Sequence, residues 1–243
     1  MNMFSVVAGS GRCGTSWLTS VLDSQLGVTW YHHFREEMTE KPWELLDLKD
    51  PSDPIFQQYW RWIKGELHIG PVGDSNSWPP HLLPAANEVV PIGRVIYMTR
   101  NRIQQLHSIT TTSPAFKKHI LPEVAQVKLR TLYDIAPEVP DKPYGDWTRF
   151  EKMCLMVKAN DFMPDWLREK GLAVDVYSLE ELTTDLDKLR ELAPGLDDDQ
   201  LSEWQQKDIN RKTEGGRAPS TIWRKWSVER RRAYKSIVGH PVL

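Results

Sequence analysis

One segment limits the possible folds more than any other. The β-branched and apolar run at residues 4–8 passes through Gly9-Ser10-Gly11-Arg12-Cys13-Gly14 into helical spacing from Thr15 onward. A strand, a glycine-rich turn and a helix in that order aim backbone N–H groups and the positive end of a helix dipole at one spot. Such a spot attracts phosphate-like anions. Three glycines after a first strand also build an ordinary tight βα turn, so the loop needs support from elsewhere in the chain.

The rest of the sequence repeats the strand-then-helix order. Short β-branched runs recur at residues 28–31, 94–98 and 173–177, and a weaker one at 70–73 contains Pro71, which suits the start of a strand or a sheet edge. Three- and four-residue apolar spacing predicts helices over 15–26, 56–67, 101–111, 147–169, 180–192 and 227–238. Alternation of this kind implies a largely parallel sheet of about five strands with helices on both faces. Pro137, Pro140 and Pro143 mark 132–147 as a loop or lid. With 243 residues, 40% of them hydrophobic, and no composition break or internal repeat, residues 1–243 are expected to form one α/β domain.

Composition narrows the setting. Cys13 and Cys154 lack the spacing of a disulfide framework or a zinc site. No apolar run approaches the roughly 20 residues of a membrane-spanning helix, and residues 1–8 carry no basic leader. A cytoplasmic protein is the expectation. Most of the eleven Trp residues are expected to pack in the core. Residues 207–235 hold ten basic and three acidic side chains, a net +7 that leaves −9 for the remainder of a chain with net charge −2. An acidic remainder argues against nucleic acid as partner and favours a small polyanion, although Arg230-Arg231-Arg232 also fit a solvated helix face.

The loop itself departs from the ATP-binding pattern. Gly9 and Gly14 have the right spacing, but Thr15 stands where a Lys would reach the β- and γ-phosphates, and Arg12 supplies a cation inside the loop. Position 19 is Thr, so Cys13 has no Arg six residues on and a thiolate phosphatase is excluded.

Arg12-Cys13-Gly14-Thr15-Ser16-Trp17 resembles the 5'-phosphosulfate loop, (Lys/Arg)-Ser-Gly-Thr-(Thr/Ser)-(Trp/Leu), of the superfamily of sulfotransferases that use 3'-phosphoadenosine 5'-phosphosulfate (PAPS). The second signature of that superfamily is a strand ending in Arg with a Ser eight residues later. It is matched by the run at 95–100, which ends in Arg100, and by Ser108, although Asn101-Arg102 replace the usual acid and Pro. Asn210-Arg211-Lys212 with Gly215-Gly216-Arg217 is similar to the late basic segment of the family, and Leu179-Glu180-Glu181-Leu182 to its Tyr-Glu-Asp-Leu.

The resemblance implies a P-loop-type three-layer sandwich and in-line transfer of a sulfuryl group to an acceptor hydroxyl or amine. The product would be 3'-phosphoadenosine 5'-phosphate, and no metal would be required. It further implies that Gly11, Arg12, Cys13, Gly14, Thr15, Ser16, Trp17, Arg100, Ser108, Arg211 and Lys212 hold the donor, with Arg12 also acting on the reacting group. The acceptor proton needs a base. By the family's pattern His33 comes first, Glu36 second and Asp74 third, with His32 in reach through a small change of register. The acceptor, a small molecule or glycan, would be chosen by loops around 32–53 and 132–147. A small-molecule kinase and a non-catalytic nucleotide-binding protein remain as alternatives.

Overall fold

The computed structural model describes residues 3–25, 27–32, 54–75, 80–112, 123–206 and 218–243. Five strands, β1 (Phe4–Gly9), β2 (Thr29–His32), β3 (Val72–Ser75), β4 (Ile92–Thr99) and β5 (Val174–Ser178), form one sheet in the order β2-β3-β1-β4-β5. Every pairing is parallel. The result is an α/β fold with a central sheet flanked by helices, consistent with P-loop-like folds.

The two-residue period of each strand explains why both faces are covered. Phe4, Val6 and Ala8 of β1 join Val95 and Tyr97 of β4 in one buried cluster, whereas Val7, Ile96 and Met98 belong to another. The first cluster is closed by α2 (Pro54–Ile69), α3 (Leu83–Val89), α4 (Arg102–Thr112), α5 (Glu123–Ile135), α6 (Arg149–Glu169), α10 (Pro219–Lys225) and α11 (Val228–Ile237). The second is closed by α1 (Thr15–Asp23), α7 (Leu179–Thr184), α8 (Leu186–Leu192) and α9 (Asp198–Gln206). Complete burial of a large aliphatic side chain is worth about 1.5–3 kcal/mol, so a strand apolar on both faces is stable only between two such layers.

Several boundaries differ from the sequence expectation for identifiable reasons. The weak fifth strand is real but begins after Pro71, and it is interior, fully buried between β1 and β2. The expected helix over 180–192 is two helices, because Asp185 adopts an extended backbone and its carboxylate accepts from the N–H groups of Asp187 and Lys188 to start a new one. The loop at 132–147 begins only after Ile135, since Leu129 and Leu132, one helical turn apart, bury on the α6 side of the core. Trp residues serve mainly as packing. Trp226 meets Phe150 at a ring separation of 5.4 Å, and Trp223 meets Tyr234 at 5.4 Å, which docks α10 and α11 on α6. Among the described residues no helix is long and apolar enough to cross a membrane.

Strand order decides where a ligand can sit. From β1 the chain moves past β3 to reach β2, whereas from β4 it moves outward to β5. Adjacent strands whose connections leave in opposite directions open a crevice at their carboxyl ends. Here that crevice lies beyond Gly9 of β1 and Thr99 of β4.

At the end of β5 the chain turns directly into α7 through a reciprocal cap. Ser178 Oγ accepts from the Glu181 N–H at 3.1 Å, and Glu181 accepts from the Ser178 N–H at 3.1 Å. Lys188 donates to the other carboxylate oxygen at 2.6 Å. The hydrogen bond from Lys188, followed by those from Ser178, lowers Glu181 from 4.5 to about 2. A carboxylate depressed in the folded state stabilises above its unfolded pKa and loses that effect as pH falls through the folded one. Ser178→Ala is therefore expected to cost about 1 kcal/mol at neutral pH. The difference from wild type should shrink as pH is lowered below about 4.5, as read by urea unfolding across that range.

Candidate functional site

The loop between β1 and α1 is held in an unusual backbone shape. Gly11, Arg12 and Gly14 all have positive φ, at 97°, 58° and 93°. Glycine adopts this region freely, whereas for Arg12 it costs about 1–2 kcal/mol. Gly14 is the N-cap of α1 and has no side chain to cap it. The first N–H groups of any helix lack intrahelical acceptors, and this arrangement leaves the helix start facing the crevice. Closeness is enforced from behind. A Cβ on Gly9 would stand 2.3 Å from Cys13 Sγ and 2.9 Å from the Met98 carbonyl, and one on Gly14 would stand 2.6 Å from Leu179.

Two sequence signals far apart in the chain meet here. Arg12 Nε donates to Ser108 Oγ at 3.2 Å, and Arg100 Nη1 donates to the Arg12 carbonyl at 3.4 Å. The β1–β4 register makes this possible, because Gly9 pairs with Met98 and both chains leave the sheet at the same level. Burial lowers the pKa of Arg100, Glu180 opposes that shift, and Arg12 adds to it. An arginine remains charged under such perturbation, so two guanidinium groups and a helix start line the same crevice. A dianionic group such as a phosphate ester suits that electrostatic environment.

Asn101 and Arg102, which follow Arg100, have defined tasks. Asn101 Oδ1 accepts from the N–H groups of Ile103 and Gln104 at 3.1 and 3.3 Å and so caps α4, the helix that carries Ser108. Its own N–H donates to Glu180 at 3.1 Å. Arg102 pairs with Asp161, whose pKa burial raises and Arg102 and Lys158 pull back. A cavity of about 330 Å³ adjoins Arg100, lined by Thr99, Asn101, Arg102, Ser178, Glu180 and Tyr234 among others.

The remaining candidates divide clearly. Cys13 and Thr15 are buried, only 0% and 3% exposed, while Arg12 and Ser16 are exposed on the crevice loop. Trp17 is buried in the core, its indole N–H donating to the Trp204 carbonyl at 3.1 Å, so the ring packs α1 against α9. Asp74 lies inside β3 beside Val6 rather than beyond the strand end, 2% exposed, and accepts from the Tyr59 hydroxyl at 2.5 Å. His32 ends β2 opposite Ser75. His33, Glu36, Arg211 and Lys212 lie outside the described residues. Among the described residues no group of three or more His, Cys, Asp or Glu side chains is placed to hold a metal ion.

Sequence reasoning missed Gln105 and Asn160. Both reach the loop from behind, Gln105 from α4 and Asn160 from α6, and both bond to Ser10. Gln105 does lie three residues before Ser108 on the same helix, one turn away, so it shares a face with a residue already of interest. Nothing local marks Asn160. No protein-family model matches the chain, and no curated protein matches it.

Gly9→Ala tests the loop's packing. The added methyl meets a thiol that can shift and a backbone carbonyl that cannot, so a loss of about 1–3 kcal/mol is expected in thermal or urea unfolding. Removing the thiol as well, in Gly9→Ala with Cys13→Ala, should recover only part of that loss.

Proposed function

We propose that the chain is a sulfotransferase that moves the sulfuryl group of PAPS to a hydroxyl or amine. The observation that supports this most is the meeting of Arg12 with Ser108, and of Arg100 with the Arg12 backbone, at the start of α1. A loop that binds only a 5'-phosphate group has no need of a second strand-end guanidinium beside it. A nucleotide carrying an additional 3'-phosphate does. The cavity adjoining Arg100 offers room on the scale of a nucleoside.

In this reading the acceptor oxygen or nitrogen attacks sulfur as the bond from sulfur to the bridging phosphate oxygen breaks. The electron pair of that bond leaves with 3'-phosphoadenosine 5'-phosphate, and the acceptor's proton passes to a base. Fixed N–H donors at the α1 start, Thr15, Ser16 and the Arg12 guanidinium counter the charge that builds on the sulfuryl and leaving oxygens. Arg100 and Ser108 hold the 3'-phosphate, with Arg211 and Lys212 closing over it. His33 serves as the base, with Glu36 as the next candidate. The exposure of Ser16 and Arg12 and the burial of Thr15 suit a ligand lying across the loop rather than within the core. Two buried cysteines that form no disulfide suit a reducing compartment such as the cytoplasm.

Calorimetry distinguishes this reading from a kinase. Binding of 3'-phosphoadenosine 5'-phosphate without metal, and weaker binding of ATP with Mg²⁺, are expected; the reverse order would refute the donor assignment. Arg100→Ala removes a charge-assisted contact worth about 1.5–3 kcal/mol, or roughly 10- to 100-fold in affinity for the 3'-phosphorylated nucleotide. Adenosine 5'-phosphate should lose far less. Turnover of labelled PAPS with a panel of hydroxyl acceptors then separates an enzyme from a nucleotide-binding protein, and His33→Ala with undiminished turnover would transfer the base to Glu36.

A further inference from the structure

We propose that Gln105 and Asn160 are positioning residues for the anion-binding loop. Through a closed ring of side-chain hydrogen bonds they hold the Gly11–Arg12 peptide with its carbonyl inward and its N–H toward the ligand. This rests on the anion-binding part of the proposed function and not on the identity of the sulfuryl donor.

Three side chains from three separate segments complete the ring. The Ser10 hydroxyl donates to Asn160 Oδ1 at 2.7 Å, Asn160 Nδ2 donates to Gln105 Oε1 at 2.7 Å, and Gln105 Nε2 donates back to Ser10 Oγ at 2.8 Å. Gln105 Nε2 uses its second hydrogen on the Gly11 carbonyl, at 2.6 Å. Gln105 is 0% exposed and Ser10 2%. Short bonds in a buried environment reinforce one another, and a ring leaves no polar atom to compete with an incoming anion.

The ring also has a fixed sense. Asn160 presents its amide nitrogen to the Gln105 oxygen, so the Gln105 nitrogen must face Ser10 and Gly11. Rotating the Gln105 amide by half a turn would set its oxygen against the Gly11 carbonyl and its nitrogen against the Asn160 nitrogen. Both contacts would repel. In a trans peptide the N–H points opposite to the carbonyl, and the protein has no cis bonds among its described residues. Drawing the Gly11 oxygen toward Gln105 therefore turns the Arg12 N–H the other way. Gly11 and Arg12 both have positive φ, and successive backbone N–H groups in turn conformations of this kind can form an anion-binding concavity. The left-handed Arg12 is thus held from behind by side chains that do not touch the ligand.

The test uses the full ¹⁵N-labelled chain and inorganic pyrophosphate, with the amide resonances of Gly11, Arg12, Gly14 and Thr15 followed during titration. Wild type should bind, with the Arg12 amide among those that move. Gln105→Met keeps the length of the side chain and removes both its donor and its acceptor. It should weaken pyrophosphate about tenfold or more, on the scale of one lost charge-assisted donor. The Arg12 amide response should be lost while the Trp17 indole signal, which reports the core, stays in place, and Tm should fall by no more than the few degrees that the unpaired Gly11 carbonyl and Asn160 amide cost. Should Gln105→Met not fold, Asn160→Leu at its half-buried position carries the same expectation. Unchanged pyrophosphate affinity in a folded variant would overturn the inference, as would a wild-type chain that does not bind pyrophosphate or whose Arg12 amide stays still. Binding of pyrophosphate without binding of 3'-phosphoadenosine 5'-phosphate would end the donor assignment and leave the inference standing.

Discussion

The parallel ladder between β1 and β4 is the contact on which the rest of the site depends. Because Ala8 lies beside Tyr97 and Gly9 beside Met98, two segments about ninety residues apart leave the sheet at the same height and on adjacent strands. One continues as a glycine-rich turn and the other as Arg100, Asn101 and the helix that carries Gln105 and Ser108. A register shift of one residue would exchange the two faces of a strand. It would place Tyr97 among the residues that pack on α1 and separate Arg12 from Ser108. The apolar alternation that fills both layers therefore also fixes the distance between the two guanidinium groups.

The loop shows how a costly local geometry persists. Arg12 in the left-handed region, two guanidinium groups close together and a helix start without a capping side chain are each unfavourable in isolation. They are maintained by a buried thiol under Gly9, a leucine under Gly14 and amide side chains under Gly11. Each support comes from a different element: the loop itself, the start of α7, and α4 with α6. An anion would relieve the repulsion between Arg12 and Arg100 and satisfy the helix start at the same time. Strain concentrated at one place and supported from several sides is characteristic of a binding site.

Much of this was readable in the chain. Strand and helix order and the glycine-rich loop follow from β-branched runs and glycine spacing, which are local, whereas Arg100 and Ser108 stood out only through a family resemblance, and in the fold each of them bonds to Arg12. The break at Asp185 was legible in principle, since an Asp with a free amide two residues on is a helix start. It was obscured because apolar spacing continues across it. The helix over 123–135 was hidden by the prolines that follow it. Trp17 illustrates an ambiguity that spacing cannot resolve, because a Trp on the inner face of a helix fits a core and a ligand wall equally well. Its bond to the Trp204 carbonyl assigns it to the core.

By itself the sequence determined the element types, the parallel sheet and the glycine-rich turn from the first strand into the first helix, because propensity, two- and 3.6-residue periods and glycine conformation are properties of neighbouring residues. Only the tertiary structure decided the interior place of β3, the burial of Asp74 against Tyr59 and the ring of Ser10, Gln105 and Asn160. These depend on strand order and on hydrogen bonds that span up to 150 residues. No local rule encodes them, since a polar side chain at a half-buried helix position is compatible with solvent until the fold brings its partner to it.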